Sequence, residues 1–189
     1  MTTLTAKIIT KKSHEYEIIK NLYNTQFPTT EKLPMWILLW KAKHNGIDFL
    51  AFFDGNQFVG FTYLVTKKDL TLIFYLAVND KIQSKGYGSR ILKYISELYP
   101  NNRLTLNIEE LNDKSPNHLQ REKRRRFYLK NNYIGSGISL IDSGVSYEVL
   151  IANGKISIPE YHEVYRKFAG AFFYPLFKPE LILESIESK

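Results

Sequence analysis

An almost unbroken apolar run of nine residues, Leu70–Val78, restricts the folds that this chain can adopt more than any other feature of the sequence. A strand with one face in water alternates polar and apolar residues, whereas a continuous apolar run predicts a strand buried on both faces. Such a strand lies at the centre of a sheet and needs other elements to cover it. We therefore expect a sheet protein with Leu70–Val78 as its central strand.

Apolar periodicity elsewhere predicts strands and helices in mixed order. Patterns with a 3.6-residue period and suitable caps predict helices that begin near Ser13, Pro34 and Ser89 and around Gln120. An α/β (α+β) fold, one mixed sheet with helices on both faces, is the economical architecture, because these helices are the available cover for the sheet. The predicted strands are residues 4–10, 48–53, 57–64, 70–78, 103–109, 134–141 and 145–151.

The length of 189 residues suggests one domain, or one domain with an appendage. We expect residues 1–155 to form the main domain and residues 156–189 to form an aromatic-rich, helical C-terminal extension. The first residues lack the apolar block of a secretory signal, and the longest uncharged apolar stretch is about half of what a bilayer helix needs. A cytoplasmic protein without a membrane span is the expectation.

The charge and the cysteine content limit which partners the chain can bind and which reactions it can support. Lys and Arg number 26 against 19 Asp and Glu, and this net charge of +7 favours anionic partners. The chain has no cysteine, which excludes disulfides, thiolate zinc sites and a cysteine nucleophile. Its four histidines show no metal-ligand spacing, so no metal is expected.

A glycine-containing turn, Gln83–Ser89, joins the central strand to the next helix. Gly86 and Gly88 have no Cβ, so the backbone can approach a bulky anion that faces the free amides of the helix N-terminus. The turn lacks the Gly-Lys-Ser/Thr of a P-loop and the third glycine of a dinucleotide fingerprint. It predicts a phosphate-binding turn, and an ordinary strand-to-helix turn is the alternative.

The turn and a later helix together resemble the GNAT superfamily of N-acetyltransferases. Gln83, Gly86 and Gly88 fit its acetyl-CoA signature, Gln/Arg-x-x-Gly-x-Gly/Ala, directly after a central strand. Phe127-Tyr128 and Tyr133 match a second signature, aromatic-Tyr-x-x-x-aromatic on the helix after the next strand, with one residue more than its shortest versions. The resemblance covers about residues 47–151 and implies a mostly antiparallel seven-stranded mixed sheet in an N-acetyltransferase domain.

The resemblance also implies how acetyl-CoA is bound as a co-substrate. The pantetheine amides would pair with the backbone of the central strand, as an added strand does, and main-chain amides of the turn would hold the pyrophosphate. The implied contacts are Leu76, Ala77 and Val78 for pantetheine, and Gln83, Ser84, Lys85, Gly86, Tyr87, Gly88 and Ser89 for the pyrophosphate.

Acetyl transfer to an amine needs a proton donor for the leaving thiolate and an acceptor for the amine proton. The resemblance implies Tyr128 as the acid; its alternative role is packing. Glu109, on the polar face of a predicted strand, is our candidate base, and Glu110 or water is the alternative; Glu109 would otherwise be a solvated strand end or an anchor for a substrate ammonium group. Arg121 stands where many relatives have a pantetheine-binding asparagine, so this helix is not expected to contact the cofactor as theirs does.

The function of a basic helix near residues 112–133 is not decided by the sequence. It carries Lys114, Arg121, Lys123, Arg124, Arg125, Arg126 and Lys130. A solvated helix near CoA is the favoured interpretation and a nucleic-acid-binding module the alternative. A silent acyl-CoA-binding protein is a further alternative to an enzyme. The expected acceptor is a primary amine of a small molecule or peptide, and the oligomeric state, including a homodimer, stays open.

Overall fold

The computed structural model describes residues 3–83, 85–142, 144–170, 174 and 179–183. Its strands are β1 (Thr5–Ile8), β2 (Ile47–Asp54), β3 (Gln57–Lys67), β4 (Leu70–Val78), β5 (Arg103–Glu109), β6 (Ile134–Asp142), β7 (Val145–Ala152) and β8 (Glu180–Leu183). Its α-helices are α1 (Tyr16–Gln26), α2 (Met35–Lys41), α3 (Tyr87–Leu98), α4 (His118–Lys130) and α5 (Ile158–Ala169). Short 3₁₀ turns cover Thr29–Glu31 and Asp80–Ile82.

The chain divides into two compact units. The first comprises Met1–Thr66 and Ile73–Pro100, and the second comprises Lys67–Leu72 and Asn101–Lys189. Strand β4 contributes residues to both. The strand order is β1-β2-β3-β4 in the first unit and β4-β5-β7-β6-β8 in the second, within one eight-stranded sheet.

The first unit is built on antiparallel strands with an aromatic core. β1 pairs with β2 and β2 with β3, and a β-bulge interrupts the second pairing between Phe52 and Phe53. Phe49 and Tyr63 are cross-strand partners, and their ring centroids lie 5.4 Å apart. Both rings are almost completely buried, as the apolar runs of β2 and β3 require.

The second unit begins with the parallel pairing of β4 and β5, in which Leu70–Leu72 align with Arg103–Thr105. β5 then pairs antiparallel with β7, β7 with β6, and β6 with β8. Helix α5 starts with a capping box, in which the Ser157 amide donates to the Glu160 carboxylate at 2.9 Å. Its Tyr161 packs in a core cluster with Ile138, Leu140 and Val149 of β6 and β7.

The predicted mixed, mostly antiparallel sheet is confirmed, but the predicted count of seven strands is wrong. The eighth strand is β8, whose four residues pair with Ile138–Ile141 of β6. So short a segment has no period of its own, and only its distant partner makes it a strand.

The domain boundary at residue 155 stays a prediction. Much of the 156–189 extension lies outside the described residues; its described part contains α5 and β8. In the described part of the chain, no helix is long and apolar enough to cross a membrane.

Candidate functional site

The first candidate region is the end of β4, where Leu76, Ala77 and Val78 lie. Ala77 is buried, and its two neighbours are half-buried. The strand ends at Asn79, whose backbone amide donates to the Val59 carbonyl at 2.9 Å. The Asn79 side chain also donates to the Phe58 carbonyl at 3.1 Å and accepts from the Lys81 amide at 3.2 Å. Asn79 therefore fixes the end of β4 on β3 and starts the following 3₁₀ turn.

Gly60 of β3 shapes this strand end, and the sequence analysis missed it. A Cβ at Gly60 would lie 2.3 Å from the Ala77 carbonyl oxygen and 3.2 Å from the Val78 Cα. These are backbone atoms of β4 and cannot move aside as a flexible side chain would. The signal was present, because an isolated glycine inside a strand pattern often marks close approach of another backbone.

The side chain of Gln83, the first fixed residue of the acetyl-CoA signature, closes the turn after β4. Its amide donates to the Asp80 carboxylate at 2.7 Å and to the Val78 carbonyl at 3.4 Å. The same carboxylate oxygen accepts from Gln26 of α1 at 2.6 Å. The signature glutamine thus has a structural role, in that it binds the turn to the strand end whose backbone is the candidate pantetheine contact.

The remainder of the turn leads directly into α3. Gly86 precedes the helix with a φ of 80°, in the left-handed region that favours glycine. The first-turn amides of Tyr87, Gly88 and Ser89 have no acceptor within the helix, so they and the positive dipole end suit an anion. Lys85 is exposed beside them. These residues fit a pyrophosphate; Ser84, also predicted to contact it, lies outside the described residues.

Asp54 holds the first turn of α3 in place. Its carboxylate accepts from the Tyr87 hydroxyl at 3.0 Å and from the Arg90 guanidinium at 2.8 Å. The hydrogen bond to Asp54 raises the pKa of the Tyr87 phenol. The Arg90 guanidinium also lies over the Tyr87 ring, 4.9 Å from its centroid. Tyr87 is therefore anchored by its side chain, and its backbone amide is the group available to a ligand.

The second candidate region, in the second unit, is the C-terminal end of α4, where Tyr128 lies. The Tyr133 amide donates to the Tyr128 carbonyl at 3.1 Å, and the Asn132 amide donates to the Leu129 carbonyl at 3.2 Å. Asn132 has a φ of 66°. These features form a Schellman C-cap, which includes a contact between the residues at 128 and 133. The spacing of the aromatic signature is thus the spacing of a helix cap.

The Tyr128 hydroxyl is protonated, and its proton is not engaged by any described residue. Tyr128 is 8% exposed, and its hydroxyl has no hydrogen-bond partner among the described residues. Burial raises the pKa of Tyr128 to about 12, while the charge of Arg124 acts to lower it. The phenol therefore carries its proton at neutral pH, and no group of the described residues accepts it.

Glu109, the predicted base, is held by cations on α4. Its carboxylate accepts from Arg121 at 2.9 Å and from Asn117 at 3.2 Å, and lies 3.5 Å from Arg124. These contacts place the Glu109 carboxylate among cationic and polar side chains of the helix and its N-cap. They also give Arg121 a role within the protein, in place of the pantetheine contact that an asparagine makes in relatives. The alternative base, Glu110, accepts from the Ser139 hydroxyl at 2.6 Å.

The other arginines of α4 are also paired within the protein. Arg125 makes a two-pronged contact with Glu148 of β7, at 2.7 and 3.1 Å. Arg126 pairs with Glu122 at 2.9 Å along the helix. A phosphate-binding surface needs its guanidinium groups available. Arg121, Arg124, Arg125 and Arg126 are therefore all engaged in ion pairs within the second unit, and the nucleic-acid alternative stays a prediction.

Comparisons with known proteins agree on one family. Residues 16–133 match the family described as acetyltransferase (GNAT) family. The fold matches a protein assigned to that family from Bacteroides thetaiotaomicron, at a TM-score of 0.68 and 16% identity, over 89% of this chain and 98% of that one. The comparison with curated proteins gave no match.

Two enzymes with assigned substrates share the fold. The ribosomal-protein-S18-alanine N-acetyltransferase from Escherichia coli matches at a TM-score of 0.60 and 10% identity, over 82% of this chain and 96% of that one. An aminoglycoside 6′-N-acetyltransferase in complex with coenzyme A matches at a TM-score of 0.62 and 13% identity, over 81% of this chain and 99% of that one. Since the family match spans more than half of the 189 residues, the chain belongs to the acetyltransferase (GNAT) family.

Proposed function

We propose that this enzyme transfers the acetyl group of acetyl-CoA directly to a primary amine of a small molecule or peptide, with Tyr128 as the general acid. The observation that carries the proposal is the hydroxyl of the buried Tyr128, which is protonated and without a protein partner among the described residues. A donor in this state is available to a leaving thiolate.

The first unit supplies the proposed acetyl-CoA contacts. The backbone of Leu76–Val78 would pair with the pantetheine amides as an added strand does. The amides of Lys85–Ser89 would bind the pyrophosphate, and the left-handed Gly86 gives the turn the shape this requires. Bound acetyl-CoA supplies an activated acyl group on a good leaving group. The Val78 amide is the proposed donor to the oxyanion that develops when an amine attacks.

For the amine proton, Glu109 is the proposed acceptor, and its two arginine contacts differ in length and in exposure. Its contact with Arg121 is short, whereas that with Arg124 is 3.5 Å long. The Arg124 side chain is 39% exposed, against 14% for Arg121, so the Arg124 contact is the easier one to open. Glu109 would take up a proton, directly or through water, while that contact is open.

Two acceptor classes follow from the structural neighbours and from the charge of an amine. One neighbour acetylates an aminoglycoside and another the alanine of a ribosomal protein, so an amino sugar and a peptide N-terminus are the first candidates. A polyamine, a free amino acid and a lysine side chain complete the set. An alkyl amine is mostly charged at pH 7, so each of these substrates must lose a proton to a group on the enzyme or to water before it can attack.

Thiol release from acetyl-CoA tests the proposal. The purified chain is incubated with acetyl-CoA and, in turn, an aminoglycoside, spermidine, an amino acid, a peptide with N-terminal alanine and a lysine peptide. The proposal expects amine-dependent release with one class well above the others, with the acetyl group on its nitrogen by mass spectrometry. Binding of acetyl-CoA with no release across the panel would contradict it and favour a silent acyl-CoA-binding protein.

A further inference from the structure

A second tyrosine, whose ring packs against that of Tyr128, has a buried hydroxyl with no hydrogen-bond partner in the described part of the chain. Tyr133 is 2% exposed, and its hydroxyl oxygen has no partner among the residues that the structure describes. Buried polar groups in native proteins are nearly always hydrogen-bonded, because an unpaired one is destabilising. The exception at Tyr133 therefore needs an explanation.

Packing explains the ring of Tyr133 but not its hydroxyl. The C-cap of α4 needs an apolar contact between positions 128 and 133, which a phenyl ring would make equally well. The two ring centroids are 5.8 Å apart, with an angle of 71° between the ring planes. The hydroxyl only adds a polar group that its surroundings leave unpaired. Local features that lower stability in this way are found mainly at functional sites.

The Tyr133 ring packs against the Tyr128 ring, and the two phenols interact electrostatically. Burial and the neighbouring Tyr128 phenol raise the pKa of Tyr133, so this group stays protonated. A hydroxyl hydrogen rotates about its C–O bond, and no acceptor among the described residues fixes its direction here. A negative charge on the Tyr128 oxygen would orient the O–H dipole toward itself, and the effect is strong in a water-poor environment.

We infer that Tyr133 is a positioning residue for the acid step, an inference that rests on the proposed role of Tyr128. In that step the C–S bond breaks, its electron pair goes to sulfur, and the Tyr128 hydroxyl proton passes to that sulfur. Tyr128 becomes a phenolate, and Glu109 then releases the proton taken from the amine, which reaches the phenolate through solvent. Tyr133 keeps its own proton throughout and stabilises the phenolate with its O–H dipole.

Kinetics and stability of the Tyr133→Phe variant of the full chain test this inference. The probe is acetyl-CoA with the fastest amine of the panel, followed by thiol release. The variant is expected to lower kcat about 3- to 10-fold, the effect of one hydrogen-bond-sized interaction, with KM for acetyl-CoA unchanged. Its Tm is expected to rise by about 2–4 °C, because an unpaired buried hydroxyl is removed. A purely structural role would not give a slower and more stable enzyme.

Two further variants show whether the loss of kcat is specific to the interaction of Tyr133 with Tyr128. In a Tyr128→Phe background no phenolate forms, so Tyr133→Phe is expected to leave kcat unchanged there. Thr62→Val is the matched control, since Thr62 is fully buried and its hydroxyl also lacks a partner among the described residues. It is expected to raise Tm in the same way and to leave kcat unaltered.

The outcomes distinguish this inference from the proposal beneath it. The inference alone is overturned by an unchanged kcat in Tyr133→Phe, by the same loss in both backgrounds, by a lowered Tm, or by an equal loss in Thr62→Val. Full kcat in Tyr128→Phe, or a wild-type chain that releases no thiol with any amine, refutes the proposed function and the inference together.

Discussion

The amide of Tyr133 donates to the carbonyl of Tyr128 at 3.1 Å, across the end of helix α4. This bond and the left-handed Asn132 between them close the helix and bring the two rings together. An aromatic signature that looks like a set of side-chain preferences is therefore a backbone motif. Its geometry sets where the proposed acid is held.

Asn132 is the residue that this cap depends on most. Asn132→Ala is expected to lower the free energy of unfolding by about 1 kcal/mol, because alanine tolerates a φ of 66° less well than asparagine. It should also reduce kcat several-fold by moving Tyr128, whereas Asn132→Gly should preserve both. Asn153→Ala is the control, since Asn153 has a φ of 65° after β7. Urea unfolding and thiol-release kinetics would measure both, and equal kcat losses in the two alanine variants would contradict the account.

Gly60 is expected to be indispensable for the end of β4. Gly60→Ala places a Cβ 2.3 Å from the Ala77 carbonyl oxygen, so β3 and β4 must separate locally. Overpacking of this kind lowers stability by about 1–3 kcal/mol. We expect the displaced Ala77 and Val78 backbone to weaken acetyl-CoA binding about tenfold or more, as measured by calorimetry. Unchanged affinity would show that this backbone does not bind the cofactor.

Gly86 tests the pyrophosphate contact separately. An added Cβ there meets no atom within 4 Å, so Gly86→Ala introduces backbone strain alone, at a φ of 80°. A loss of about 1 kcal/mol in stability is expected, together with weaker acetyl-CoA binding. Gly144→Ala is the matched control, because Gly144 has a φ of 78° and equally open surroundings in the β6–β7 turn. The control should lose stability only; equal affinities in the two variants would argue against a pyrophosphate site at Gly86.

Much of the fold could be predicted from local patterns. Leu70–Val78 is a strand with the predicted bounds, and Arg103–Glu109 likewise, because long apolar or alternating runs carry their own period. β8 could not be predicted, since its four residues become a strand only by pairing with β6. The candidate site differs in the same way. The glycine and aromatic spacings are visible in the sequence, whereas contacts between separate elements, such as that of Arg121 with Glu109, are not.

Glu109 and Glu148 offer a matched pair for testing the proposed base. Both carboxylates pair with arginines of α4, Glu109 with Arg121 and Glu148 with Arg125. Glu109→Gln is expected to lower kcat about 100-fold with little change in KM for acetyl-CoA, because it removes a proton acceptor. Glu148→Gln should lower stability while kcat stays within about twofold. Were the two variants to lose similar stability and similar kcat, Glu109 would be an anchor of α4 and not the base.

The most direct test of the central claim is the steady-state comparison of Tyr128→Phe with wild type, using acetyl-CoA and the best amine acceptor. Phenylalanine keeps the ring contact with Tyr133 and removes only the hydroxyl, so folding and acetyl-CoA binding should persist. If Tyr128 is the acid, kcat falls about 10²- to 10³-fold while KM for acetyl-CoA changes less than about twofold. A kcat equal to that of wild type would contradict the account.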